Sequence, residues 1–181
     1  MYSSISTKFI NETDPATVDW IYNILNHDSE SDRIFYENPD PLLGYIVLPD
    51  FKWDTVNLAT LHLIALVHDK NLKSLRDLDS SHLPLLKDIK LQVSNVLKSR
   101  YPDFDISQLL FYVHYHPSFY HLHIHISNIN TESQGMISGR AHILDQVIDN
   151  IENISPNYYQ KATLPVVFGQ KNKLYSLLTN V

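Results

Sequence analysis

The chain has 181 residues, 44% of them hydrophobic and 19% charged, which fits one ordinary globular domain with a real core. A net charge of −6 argues against sequence-independent binding to long nucleic acid, which needs Lys and Arg to neutralise phosphates, but leaves room for a small nucleotide in a pocket. The absence of cysteine excludes disulfide frameworks and thiolate metal sites, so any metal would have to use His, Asp or Glu.

Met1 to Asn11 lacks the apolar core of a signal peptide, and the longest apolar run, Leu61 to Val67, is too short to span a bilayer. These features lead us to expect no membrane partner and a cytoplasmic, and also nuclear, location. Lys8 to Glu12 reads as a short edge strand. Asp14-Pro15 supplies an N-cap and a first-turn proline for a helix over Ala16 to Asn26, whose apolar stripe is Val18, Ile21 and Ile24 or Leu25, with Trp20 to one side. A polar link, His27 to Asp32, leads to a strand over Arg33 to Glu37. Asn38-Pro39-Asp40-Pro41 is a turn, and Leu43 to Leu48 a strand. Pro49 to Trp53 reads as a loop ending at Asp54, an N-cap.

Two helices are expected next, over Thr55 to Asp69 and His82 to Arg100, the second with Leu86, Ile89, Val93, Val96 and Leu97 on one face. Leu109 to His116 alternates as a strand, and Pro117-Ser118-Phe119-Tyr120 joins it to a neighbouring antiparallel strand that starts at His121. A polar loop over Asn130 to Ser138 follows, with Gly135 and Gly139 free to adopt unusual backbone angles. A helix over Arg140 to Glu152, a strand over Thr163 to Phe168 and a short helix over Leu174 to Leu178 complete an α+β pattern.

At the two-residue period of a strand, His121-Leu122-His123-Ile124-His125-Ile126 puts three imidazoles on one face and three apolar side chains on the other. A core has no use for such a row, because every imidazole must desolvate and satisfy two ring nitrogens. Three readings compete. His-x-His on a strand supplies two ligands for zinc or copper, although no Asp or Glu lies within Tyr112 to Asn128 to orient them. Satisfied histidines on a half-buried sheet face are the second reading, and the better one for the scattered His62, His68, His82 and His142. In the third, His123 attacks phosphorus and forms a covalent nucleotidyl-histidine, while His121, His125 and His114 hydrogen-bond the phosphate oxygens or protonate the leaving group. That chemistry requires no metal and no cofactor.

The triplet resembles the His-φ-His-φ-His-φ-φ signature of the histidine triad superfamily, with Ser127 at its last apolar position. Trp20 to Leu25, Arg33 to Glu37, Asn38 to Pro41, Leu48 to Trp53, Lys73 to Leu78, His82 to Leu86 and His114 to Tyr120 together resemble the catalytic half of the scavenger mRNA decapping enzymes, from about Lys8 almost to the C-terminus. The resemblance implies a histidine-triad fold, an antiparallel sheet with packed helices in a single domain over residues 1–181. Within it, residues 1–32 form an N-terminal strand and helix segment carrying cap-binding residues.

The implied activity is hydrolysis of the triphosphate bridge in 7-methylguanosine cap dinucleotides or short capped RNA, releasing 7-methylguanosine monophosphate. The family's nucleophile falls on His123, its phosphate contacts on Asp50, Lys52, His114, Ser118 and His125, and its base contacts on Trp20, Glu30, Pro49 and Phe51, where the family often has an aliphatic residue at the last. Phe119, in the same block as Ser118, counts with the substrate-binding set. A methylated guanine is cationic, so an aromatic such as Trp20 gains stacking and cation–π attraction, while Glu30 can accept from the guanine edge. Each residue also has a plain reading: Trp20 as a core aromatic, Phe51 and Trp53 as loop anchors, Glu30, Asp50 and Lys52 as solvated charges, and His116 as a neighbour without a family counterpart. Family members of full length form a homodimer and carry a further N-terminal domain that closes over the site. Since the likeness begins just before the Trp20 helix, this chain either dispenses with that lid or is a fragment. The alternatives are a general histidine-triad hydrolase of dinucleoside polyphosphates or phosphoramidates, and a non-catalytic cap-binding module.

Overall fold

The computed structural model describes residues 5–131, 134–136, 139–169 and 172–179. Where the pattern points to an edge strand over Lys8 to Glu12, the chain forms helix α1 (Thr7–Glu12). Lys8 and Glu12 pair across one turn at 3.8 Å, Ile10 is buried, and Phe9 meets Tyr120 edge-on at 6.1 Å, so side-chain docking rather than a ladder fixes this segment. Asp14 then caps as expected, its Oδ1 accepting from the Ala16 amide at 3.0 Å. A 3-10 turn over Pro15–Val18 continues into α2 (Asp19–Leu25), which buries Ile21, Ile24 and Leu25 and leaves Trp20 41% exposed.

After a 3-10 turn at Ser31–Arg33 come β1 (Tyr36–Asn38), later than the expected Arg33 to Glu37, and β2 (Tyr45–Pro49). The bend between them requires Gly44, where a Cβ would lie 2.1 Å from the Asp40 carbonyl oxygen.

The largest departure from the pattern follows. Asp54 caps only a turn, accepting from the Val56 and Asn57 amides, and the helix expected over Thr55 to Asp69 is instead a 3-10 turn (Leu58–Thr60) and the strand β3 (His62–Val67). All six residues of β3 are buried. A strand covered on both faces is apolar along most of its length, as β3 is after His62, so it shows no two-residue alternation and cannot be told from a buried helix by period.

Helix α3 (Leu83–Arg100) matches its expected span and buries Leu85, Leu86, Ile89, Val93 and Leu97. Strands β4 (Leu109–His114) and β5 (His123–Asn128) pair antiparallel with Tyr112 opposite His125, although β5 begins two residues beyond His121. Arg140 to Glu152 is not one helix. Ala141–Ile143 forms β6 on the open edge of β4, and α4 (Leu144–Asp149) with a π turn (Asn150–Ile154) follows. α5 (Tyr158–Lys161) has no counterpart in the sequence pattern, and α6 (Lys173–Thr179) matches the expected short terminal helix. Thr163 to Phe168 joins no strand ladder among the described residues. Leu164 and Val166 instead pack on the core.

Among the described residues the strands form one six-stranded antiparallel sheet in the order β1-β2-β3-β5-β4-β6, an α+β single domain. Leu63, Ala65, Val67, Ile124 and Ile126 on one face pack with α3 and α4 residues in the main core. On the other face Ile46, Leu48, Ile64 and Leu66 carry Ile21, Ile24 and Leu25 of α2. Beyond α2 that second face is occupied by imidazoles.

Candidate active site

The alternation of β5 sends Ile124 and Ile126 into the main core and turns His123 and His125 to the α2 side of the sheet. Pairing adds His114 and Tyr112 from β4 and His62 from β3. Rings meet in a close set: His114 and His125 at 4.4 Å, His123 and His125 at 5.0 Å, and Tyr112 stacked on His125 at 5.2 Å. His123 is 3% exposed and stacks under Phe119 at 4.2 Å, while Phe119 stands edge-on to Trp20 at 5.1 Å.

Main-chain carbonyls accept only, so they decide which ring nitrogen carries the proton. His123 Nδ1 lies 2.8 Å from the His121 carbonyl and donates to it, which leaves Nε2 with a bare lone pair. His114 Nε2 donates likewise to the Gly135 carbonyl at 2.8 Å. His121 Nε2 donates to the Val67 carbonyl at 2.8 Å, so its ring is turned into the fold, and its contribution to this centre is the carbonyl that holds His123. Burial holds His123 and His114 down to about 4 and His125 well below its ordinary range, with nearby His and Lys charges adding to the effect. All three are therefore neutral at pH 7, and His123 is a free base there.

His62, read from the sequence as a structural histidine, lies within the imidazole cluster. It is 1% exposed, its Nε2 lies 3.2 Å from His125 Nδ1, and the Asp50 carboxylate stands 3.9 Å from the same Nε2. That carboxylate favours the proton on His62 Nε2, so His125 accepts at Nδ1 and carries its own proton on Nε2. A polar residue inside the otherwise apolar run Leu61 to Val67 was the available signal, since nothing apolar is gained by it. The other scattered histidines lie away from this centre: His82 Nδ1 accepts from the Asp79 amide at 3.1 Å, His68 Nε2 lies 3.6 Å from Glu37 without a hydrogen bond, and His142 Nε2 is likewise buried without a hydrogen bond. His116 packs between Tyr115 and Phe168, outside this centre.

A cavity of about 860 Å³ opens over the imidazoles, lined by Trp20, Glu30, Pro49, Asp50, Phe51, Lys52, His114, Ser118, Phe119, His123 and His125, so His121 is the one expected site residue missing from its wall. Asp50 is buried, its Oδ1 accepting from the Lys52 amide at 3.0 Å. Phe51 is 86% exposed at the rim, with Lys52 Nζ 5.6 Å from its ring centre. Trp53 anchors its loop instead, with its indole N–H on the Asn57 carbonyl at 2.8 Å.

Sequence reasoning missed Arg33 and Arg140 in the wall. Arg140 follows Gly139, whose φ of +81° turns the chain back to the sheet; its Nε is buried without a hydrogen bond, and its charge helps hold His114 neutral. Donor atoms of His114, His123 and His125, and of Asp50, His62 and His125, lie within 4.8 Å of one another, so either set has the ligand types to hold a transition metal.

Residues 19–141 match the family described as "Scavenger mRNA decapping enzyme C-term binding". Over its whole length the chain is 40% identical to the m7GpppX diphosphatase of Schizosaccharomyces pombe, covering 59% of that protein. It is 42% identical to the m7GpppX diphosphatase of Bos taurus (92% of this chain, 49% of that protein) and 40% identical to that of Ascaris suum (96% and 57%). The chain therefore spans about half to three-fifths of these relatives.

Proposed function

The chain belongs to the scavenger mRNA decapping enzyme family, matching its C-terminal part, and from that premise we propose that it hydrolyses the triphosphate bridge of 7-methylguanosine cap dinucleotides or short capped RNA. The observation that carries the reading is His123 held by its Nδ1 proton with a bare Nε2 beside a cavity that also holds His114, His125 and Lys52. The names of its relatives support the substrate class.

In this reading His123 Nε2 bonds to the phosphorus next to 7-methylguanosine, the bond from that phosphorus to the bridging oxygen breaks, and the diphosphate departs as an anion that keeps the bonding pair, hydrogen-bonded by the Nε2–H of neutral His125. Water then attacks the same phosphorus and gives up a proton to solvent, while the P–N electron pair returns to His123 Nε2. The P–N bond breaks, and 7-methylguanosine monophosphate leaves. Lys52 and Arg140 balance phosphate charge, Ser118 donates to it, and the buried Asp50 holds the Lys52 loop through the Lys52 amide. At the other end of the cavity Trp20 and Phe51 offer rings to the cationic purine, with Phe119 carrying the stack toward His123, while Glu30 and the Pro49 carbonyl accept from the guanine edge. On the strength of the resemblance alone we extend the proposal to residues 1–181 as one catalytic domain, acting as a homodimer in the cytoplasm or nucleus.

Incubation with a methylated cap dinucleotide and, separately, with diadenosine polyphosphate tests the reading. Methylated guanosine monophosphate should form from the first far faster than AMP from the second, and His123→Asn should abolish turnover while still binding cap. Equal use of both substrates would replace the cap reading with a general nucleotide hydrolase. Tight cap binding without product in the parent would make it a binding module.

A further inference from the structure

We propose that Arg33 is a positioning residue for purine recognition, its guanidinium tying the Glu30 carboxylate to the Pro49 carbonyl so that the two acceptors meet the base edge as one rigid unit. The inference rests on the cap reading above and adds a specificity element to that site.

Arg33 Nη1 donates to Glu30 Oε2, and Nη2 donates to the Pro49 carbonyl at 3.0 Å. These acceptors come from unrelated parts of the fold. Glu30 lies in the link before β1 with a left-handed backbone (φ +55°), and Pro49 ends β2. A carboxylate and a carbonyl brought side by side repel each other. A cation that reaches both turns the repulsion into attraction, and only a planar fork can do so at a fixed spacing.

Neither acceptor is used up. A carboxylate offers about four acceptor positions and a carbonyl two, and Arg33 takes one of each. A guanine edge presents N1–H and the exocyclic amine, donors that match the remaining positions.

The placement of Arg33 decides between two roles. A guanidinium carries the same fork of N–H donors as the guanine edge, so an arginine inside the pocket would compete with the base. Arg33 and Pro49, however, also line a second cavity of about 360 Å³, on the side of Phe35 and Trp53. Arg33 therefore stands in the partition between two cavities, holding the acceptors from behind.

The test uses the full chain and the affinities of 7-methylguanosine monophosphate and 7-methylinosine monophosphate, which lacks the exocyclic amine, read by quenching of tryptophan fluorescence. The parent should prefer the guanine nucleotide by about tenfold, the net worth of the one hydrogen bond that the exocyclic amine adds. Arg33→Met should collapse that ratio to about one, because the guanine nucleotide loses the partners of two edge donors while 7-methylinosine, which keeps N1–H and the stacking, loses the partner of one. Arg33→Lys, which pairs with Glu30 without a fork, should recover only part of the ratio. A ratio unchanged in Arg33→Met overturns the inference while leaving the cap reading intact, and so does tighter guanine binding, which would make Arg33 a competitor. A parent that binds neither nucleotide removes the cap reading and the role of Arg33 with it.

Discussion

At the scale of single residues, three histidines that look equivalent in the sequence have three different hydrogen-bond states. His123 offers a bare Nε2, His125 a protonated Nε2, and His121 chiefly its carbonyl. Alternation shows that the first two share a face. It cannot show that the strand starts at His123, nor which carbonyl each ring meets. His62 carries the clearest consequence. His62→Phe preserves ring volume and removes the donor to His125 Nδ1, so turnover should fall by at least about tenfold, the scale of misplacing one hydrogen bond to the transition state, with little change in KM. His62→Gln, which can donate again, should recover part of it. Steady-state kinetics on the cap dinucleotide checks both variants, and wild-type turnover in His62→Phe would show that His125 needs no partner.

At the scale of elements, the order in which segments dock matters more than their intrinsic preferences. Helix α2 has seven residues, too short to persist alone in water, and exists because Ile21, Ile24 and Leu25 seat on Ile46, Leu48, Ile64 and Leu66. It also carries Trp20 to the cavity. Ile21→Ala removes a fully buried side chain and should lower stability by about 2–5 kcal/mol, measured as a shift of the urea midpoint. A loss below about 0.5 kcal/mol would mean that α2 is held by something else. The amphipathic stripes of α2 and α3 are legible in the chain because each has one face in solvent. Strand β3 was not, because neighbouring strands and both covering layers bury every position. Strand β6 and α1 were misread for a related reason: three to six residues carry too little period to choose a state, and an open edge of β4 or a ring such as Tyr120 decides it.

For the molecule as a whole, a buried imidazole cluster makes stability depend on pH. His123 and His114 titrate at about 4 when folded, against an ordinary value of 6.5. The unfolded chain binds those protons as pH falls through 6.5 and the folded chain resists them until about 4, so stability drops across that window as the solution is acidified. The histidine contribution should dominate from pH 6.5 to about 5, because Asp40, Asp54, Asp79 and Asp105 are lowered by hydrogen bonds and act at more acid pH. Urea midpoints that stay level between pH 7 and 5 would contradict the buried, neutral cluster. The sequence by itself determined the class of fold, the amphipathic helices α2 and α3, the pairing of β4 with β5 and the strand that carries the row of imidazoles, since all of these are written in local periodicity and in the side chains along a single strand. Only the tertiary structure decided that His62 reaches His125, that Arg33 and Arg140 enter the cavity wall, and that His121 turns away from it. Those outcomes depend on which strands pair and in what register. That pairing is set by the sum of many distant contacts, and a window of sequence contains none of them.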